Sequence, residues 1–335
     1  MRSPVENESR PLLFGVPFDA ITMPQALDRI FAMAASPPGE SGCRIVATVN
    51  VDFIVNTHFP LKSAPRNPAL AAILRRADMV VADGMPLVWL SRLLGTPLPE
   101  RVTGADMVPK IAERAAREGR KLYFLGGSGE YTRRAADLLR ERHPGLEIEL
   151  DTPFVRLDAP DAAEKDQEIC RRINDSGASI LLIAFGNPKQ ELWLERNRRN
   201  LRCGVGIGIG GTFNFLAGAV RRAPGWMRRS GTEWIYRLFQ EPRRLWKRYC
   251  VGLFQFGVMA LRAMLFPPCR GGAEVAENKE DGTLTVIGRG GFSPRAMETI
   301  LRISGGRPVR ISGLSRRQKR QLRAHRLADL IIEVK

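Results

Sequence analysis

The residues best suited to chemistry in this chain follow short apolar runs. Asp83 comes directly after Met79-Val-Val-Ala82 and directly before Gly84. A carboxylate at the end of a buried strand, beside a flexible neighbour, can accept a proton from a substrate hydroxyl. The same residue can cap a helix beginning near Pro86, which is locally the commoner use of Asp. Gly126-Gly-Ser-Gly129 lies between a strand and a helix. There Gly126 and Gly127 either let a phosphate reach backbone N–H groups and the positive helix N-terminus, or simply make a tight turn. Neither a Walker A loop nor a full dinucleotide fingerprint is present.

Asn187-Pro-Lys-Gln-Glu191 opens another helix, with Pro188 near its first position. Lys189 and Gln190 then fall in the first turn, as donors for sugar hydroxyls or phosphate or as ordinary surface residues. Farther on, Arg237, Arg244 and Lys247 are spaced to share one face of a continuous helix, which Pro242 could kink. That face could hold a pyrophosphate or lie on anionic lipid. No Asp-X-Asp motif follows a strand, and the 3 histidines are scattered. No metal site or cofactor is expected, so a leaving pyrophosphate would need cations or helix dipoles.

These residues require a particular scaffold. Candidate strands are Leu12–Val16, Arg44–Val49, Met79–Ala82, Lys121–Leu125, Ile180–Phe185 and Val205–Ile209, several of them continuous apolar runs typical of parallel strands buried on both faces. Helical stretches such as Ala105–Glu118, Glu130–Arg142 and Lys189–Arg199 fall between them. The alternation predicts an α/β fold with a doubly wound parallel sheet. Ligands bind outside the carboxyl ends of such strands. Five of the strands end in Gly, Asn, Asp, Ser, Thr or Gln, making one polar, glycine-rich rim.

The chain has 335 residues and a net charge of +17, which speaks to polyanionic partners and not to fold. Residues 221–248 carry +7 and residues 315–326 carry +6. The first cluster is interleaved with Trp226, Trp234, Tyr236, Trp246 and Tyr249, as at a membrane interface. The apolar stretch that follows, Tyr249–Phe266, is interrupted by Gln255 and Arg262 and falls short of a spanning helix. An interfacial helix on anionic lipid is expected, with a core helix or a homo-oligomer contact as alternatives. Nucleic acid is the weaker partner, since no reader motif is present. The 5 cysteines are scattered and the N-terminal stretch lacks a signal-peptide core, so a cytoplasmic location on the inner face of the membrane is expected. The domain reading is a core over 1–220, a basic and aromatic helical appendage over 221–269, a linker over 270–282, and a small βαβαβ extension over 283–335.

The motifs together resemble the WecG/TagA/CpsF family of glycosyltransferases from about Phe14 to Val251. They are Thr48-Val-Asn50, Ala82-Asp-Gly84, Arg101-Val-Thr-Gly-Ala-Asp106, Phe124-Leu-Gly-Gly127, Ala184-Phe-Gly-Asn-Pro-Lys-Gln-Glu191, Gly210-Gly-Thr-Phe213, Ala223-Pro-Gly-Trp226, Glu233-Trp-Ile-Tyr-Arg237 and Glu241-Pro-Arg-Arg-Leu-Trp-Lys-Arg248. The resemblance implies a Rossmann-like fold and inverting, metal-independent transfer from a UDP-sugar to a polyprenyl-diphosphate-linked saccharide. It implies Asp83 as the base and Thr48, Asn50, Arg101 and Gln190 as pocket residues. Arg237, Arg244 and Lys247 would bring phosphate-binding charge on an appendage that closes over the site and contacts the membrane. Thr57–Pro68 stands out as an insertion, Lys247 replaces a common Arg, and the unit after residue 282 lies outside the family pattern. The competing reading is a non-catalytic basic module for a membrane surface.

Overall fold

The computed structural model describes residues 10–39, 42–62, 64–269, 271–278, 282–288 and 290–334; the side chains of residues 228, 229 and 244 also lie outside the description. The chain opens with a small antiparallel hairpin, β1 (Leu12–Leu13) and β2 (Val16–Pro17). A single strand is predicted over this apolar run, but Phe14 and Gly15 take positive φ, 53° and 72°, and reverse the chain. The order then runs α1 (Met23–Ala35), β3 (Arg44–Val49), α2 (Val51–Thr57), α3 (Pro68–Arg76), β4 (Met79–Ala82), α4 (Met85–Leu93) and α5 (Gly104–Glu118). It continues through β5 (Leu122–Gly126), α6 (Gly129–Arg142), β6 (Ile148–Asp151), α7 (Ala162–Asp175), β7 (Ile180–Ala184), α8 (Lys189–Asn197), β8 (Val205–Gly208) and α9 (Thr212–Leu216).

Strands β3 to β8 form one parallel sheet in the order β4-β3-β8-β7-β5-β6, with helices on both faces. The fold is the α/β, Rossmann-like one. Successive side chains on a strand point to opposite faces, and the apolar runs therefore feed two cores. Ile45, Ala47, Leu181 and Ile183 join the core under α2, α3, α4, α7 and α8. Val46, Leu122, Phe124, Leu182 and Ile207 join the other, under α1, α5 and α6. The edge strand β6 was not predicted: it alternates Ile148 and Leu150 with Glu149 and Asp151, and its pattern reads as surface.

The appendage is three helices, α10 (Gly225–Ser230), α11 (Glu233–Gln240) and α12 (Pro242–Leu265). The continuous helix that would align Arg237, Arg244 and Lys247 is not formed. Pro242 starts α12, and Glu241 before it leaves the helical region at φ −131° and ψ 58°, as a residue ahead of proline tends to do. α12 is amphipathic. Leu245, Phe256, Met259, Ala260 and Ala263 are buried, and Phe256 meets Phe14 edge-on at 5.5 Å. Its other side exposes Trp246, Val251, Phe254, Leu261 and Leu265. Among the described residues, no helix is long and apolar enough to cross a membrane.

Beyond α12 the chain forms a second sheet, ordered β12-β11-β10-β9. Its elements are β9 (Glu274–Glu277), β10 (Leu284–Ile287), α13 (Pro294–Ser304), β11 (Val309–Ser312), α14 (Arg316–Ala324) and β12 (Ile331–Val334). β9 lies inside the stretch expected as a linker; it pairs antiparallel with β10. This unit has its own core around Leu284, Phe292, Ile300, Ile311 and Leu322. Arg75 of α3 holds it by a bidentate bridge to Asp329 at 2.7 and 3.0 Å and donates to the Arg326 carbonyl at 2.9 Å. In return the buried Arg326 donates to the Pro60 carbonyl at 2.8 Å, within the Thr57–Pro68 loop.

Candidate active site

Asp83 sits at the carboxyl end of β4, where its N–H donates to the Val49 carbonyl of β3 at 2.8 Å. The helix-capping use is not observed. Gly84 is the N-cap of α4, and no side-chain cap bond is formed there. The Asp83 carboxylate instead turns toward the start of α5, where Oδ2 accepts from Gly104 N at 3.5 Å. Thr103 caps that helix through Asp106 N, and Val102 N donates to the Ala82 carbonyl at 2.9 Å, so the 101–104 segment is fixed beside the strand end.

Burial pushes the Asp83 carboxyl up from 3.8 to about 7; Arg101, Gly104 N and Arg237 oppose the rise and Glu233 adds to it. A carboxyl poised there is half ionised near neutrality, the range in which a general base is effective. Around it lies an ion network spanning the core and the appendage. Arg101 Nη1 lies 3.0 Å from Glu233 Oε2 and its Nη2 3.9 Å from Asp106 Oδ2. Arg222 Nη1 lies 2.6 Å from Asp106 Oδ1, and its Nη2 3.9 Å from Glu233 Oε1. One helical turn past Glu233, the Arg237 guanidinium stacks over Phe215 at 5.0 Å. Its Nε is buried and has no hydrogen-bond partner among the described residues. The arrangement is a carboxylate facing three guanidiniums, suited to proton abstraction next to an anionic leaving group.

The remaining candidates occupy the same rim in different ways. Thr48 is buried and its hydroxyl donates to the Gly208 carbonyl at 2.8 Å, joining β3 to β8. Asn50 caps α2, accepting from Asp52 N and Phe53 N at 3.0 and 3.3 Å. Its Cβ packs where Gly84 comes close. Gln190 is buried: Oε1 accepts from Gly186 N and Gly210 N at 3.1 and 3.2 Å, and Nε2 donates to Glu191 at 2.6 Å. It ties the ends of β7 and β8 together. Asn187 donates to Glu191 at 3.0 Å and accepts from Asn56 at 2.8 Å, linking that corner to α2.

Gly126 and Gly127 both have positive φ, and a Cβ on Gly126 would lie 2.5 Å from the Phe185 ring. Gly127 N donates to the Ala184 carbonyl at 3.2 Å. Phosphate binding at this loop would therefore draw on the N–H groups of the following turn of α6. Lys189 stands over Phe154 and Phe185, at 5.5 and 5.7 Å. Lys247 is exposed on α12, and the Arg244 side chain lies outside the described residues. The structure thus joins Asp83, Arg101 and Arg237 in one cluster and Asn187 with Gln190 in a neighbouring one. Among the described residues, no group of three His, Cys, Asp or Glu is placed to hold a metal ion.

The sequence pattern of the Glycosyl transferase WecG/TagA/CpsF family matches residues 11–270. The chain belongs to this family. It is similar to the N-acetylglucosaminyldiphosphoundecaprenol N-acetyl-beta-D-mannosaminyltransferase of Bacillus spizizenii, 31% identical over 186 residues, covering 55% of this chain and 69% of the relative. The enzyme of the same name from Staphylococcus aureus is 25% identical over 252 residues, covering 75% of this chain and 93% of the relative. In this WecG/TagA/CpsF glycosyltransferase the match ends before β9, so the second sheet lies beyond the family pattern. Sequence reasoning gave no site role to Asp106, Arg222, Glu233, Glu191 or Asn56. Four of them stand in or next to motif strings, but only the fold shows which charge meets which.

Proposed function

We propose that this glycosyltransferase moves a hexose or N-acetylhexosamine from a UDP-sugar to a saccharide carried on a polyprenyl diphosphate, with inversion and without a metal or other cofactor. The observation that carries the reading is the placement of the Asp83 carboxyl, turned from α4 to Gly104 N with Arg101, Arg222 and Arg237 around it, where burial raises it to about 7. Asp83 takes the proton of the acceptor hydroxyl, whose oxygen attacks the anomeric carbon of the donor. The bond from that carbon to the diphosphate oxygen breaks, and its electron pair leaves on UDP. Guanidiniums offset the charge that develops on the leaving group, the part a metal plays in other transferases. Thr48, Asn50 and Gln190 shape the pocket floor. The 126–127 loop with Asn187 and Lys189 serves the donor, and Arg237, Arg244 and Lys247 serve phosphate.

An N-acetylmannosamine donor is favoured by the names of the relatives, which transfer that sugar to a GlcNAc-diphosphoundecaprenol. A place on the inner face of the plasma membrane is supported by the lipid nature of their acceptor and by the exposed apolar side of α12. The test is a panel of UDP-sugars with a short-chain polyprenyl-diphosphate-GlcNAc acceptor, with and without EDTA. Transfer from one donor, undiminished by the chelator, is expected. No transfer from any donor, alongside retained vesicle binding, favours the non-catalytic membrane module instead.

A further inference from the structure

The sheet beyond the family pattern carries the chain's second basic cluster, and its placement suggests a use. α14 begins with a capping box between Ser315 and Gln318. Gln318, Gln321, Leu322 and His325 turn inward and are buried. Arg316, Arg320 and Arg323 recur at helical spacing on the opposite, exposed face. Among the described residues these three make no ion pair, whereas Lys319 pairs with Glu333 at 2.6 Å. A row of unpaired guanidiniums on one face is open to an external anion.

Three contacts, two of them from its inward face, fix where α14 stands. His325 Nε2 lies 2.9 Å from the Phe266 carbonyl, Gln321 Nε2 donates to the Pro267 carbonyl at 2.7 Å, and Arg317 lies 3.6 Å from Cys269 Sγ. The helix is therefore fastened to the segment that leaves α12, next to the end of α12 that exposes Leu261 and Leu265 at 56% and 64%. The Arg75–Asp329 and Arg326–Pro60 bonds hold the whole unit rigidly to the core. The inward face of α14 packs on the exit of α12 and its guanidiniums face outward; exposed cations on one element and exposed leucines on the next supply the two kinds of group a lipid surface takes, at headgroup and acyl boundary. A nucleic acid has no use for the exposed leucines.

We propose that residues 273–334 form a second membrane contact, in which Arg316, Arg320 and Arg323 of α14 bind the headgroups of anionic lipid. The inference rests on the membrane reading of α12 given above. It assigns the extension the task of setting the attitude of the enzyme on the bilayer, so that the lipid-linked acceptor meets the rim.

The experiment is sedimentation of the full chain with vesicles of phosphatidylcholine alone and of phosphatidylcholine and phosphatidylglycerol in equal parts. The variants are Arg316→Gln/Arg320→Gln/Arg323→Gln and, separately, Phe254→Ser/Leu265→Ser on α12. A basic residue at an anionic surface contributes roughly fivefold in binding. The triple variant should therefore bind the anionic vesicles about 100-fold more weakly than wild type at low salt, with no change on the neutral ones. The α12 variant should lose binding to the neutral vesicles and keep a weakened, salt-sensitive binding to the anionic ones. Wild-type binding by the triple variant overturns the proposal but leaves the α12 reading intact. Failure of wild type to bind either vesicle overturns both. Loss by the triple variant of a single-stranded RNA, with vesicle binding kept, overturns it in favour of nucleic acid. All the substituted side chains are exposed, and thermal unfolding identical to wild type is the control for folding.

Discussion

Replacing Asp83 by Asn separates a base held at a cost to the fold from a residue that serves the fold. The carboxyl is raised from 3.8 to about 7, chiefly by burial. A carboxylate whose folded value lies above its unfolded one weakens the fold as it ionises. The penalty is absent below about pH 4, grows through the interval, and is complete above about pH 7. About three units at ~1.36 kcal/mol each give roughly 4 kcal/mol as an upper bound. Partial exposure of the residue lowers this to roughly 2–4 kcal/mol. The Asp83→Asn variant keeps the shape and loses the charge. Its stability relative to wild type should rise with pH across that interval and level off near pH 8, a Tm gain of several degrees. Other carboxylates titrate alike in both proteins, so the difference isolates Asp83. Over the same series sugar transfer should fall roughly 100- to 10,000-fold. The assays are thermal unfolding from pH 4 to 8 and radiolabelled sugar transfer at pH 8. A variant less stable than wild type at every pH refutes the argument, because Asp83 would then be a structural cap; so does near wild-type transfer.

Glu233→Gln removes a negative charge that raises the Asp83 carboxyl and frees Arg101, its partner at 3.0 Å, to lower it. The acid limb of the kcat/KM profile should move to lower pH by roughly one unit, the lower end of what a nearby charge does to a carboxyl; an unmoved limb at reduced rate would mark Glu233 as a tether alone. Asp329→Asn leaves Arg75, whose side chain is 3% exposed, without its carboxylate. A loss of about 3–5 kcal/mol is expected, read as faster hydrogen exchange in α14 and β12. Gly208→Ala places a Cβ 2.4 Å from Gln190 Nε2 and 2.7 Å from Glu191 Oε1. It should cost about 1–3 kcal/mol and lower turnover by displacing the rim; a fully active, equally stable variant would show that Gln190 is free to move.

The sequence by itself determined the parallel sheet, because its buried strands are continuous apolar runs whose period and length need no partner to be recognised. It also determined the rim, since polar and glycine residues after a strand end in such a sheet have one place to go. Where local signals were mixed, they misled: Ile148–Asp151 and Glu274–Glu277 are half charged and pass for surface or linker, yet pairing with β5 and β10 makes them strands. The single helix drawn through Arg237 and Lys247 broke at Pro242, a break the proline announced.

Asp83 shows the division most clearly. Its residue type and its neighbour Gly84 are equally good for a cap and for a base. Only the fold takes the carboxylate away from α4, leaves it half-buried, and sets it among Arg101, Arg222 and Glu233, the last two of these on the appendage. Charges so far apart in sequence carry no mutual signal along the chain, and a shifted carboxyl is made by what surrounds it, which only packing supplies.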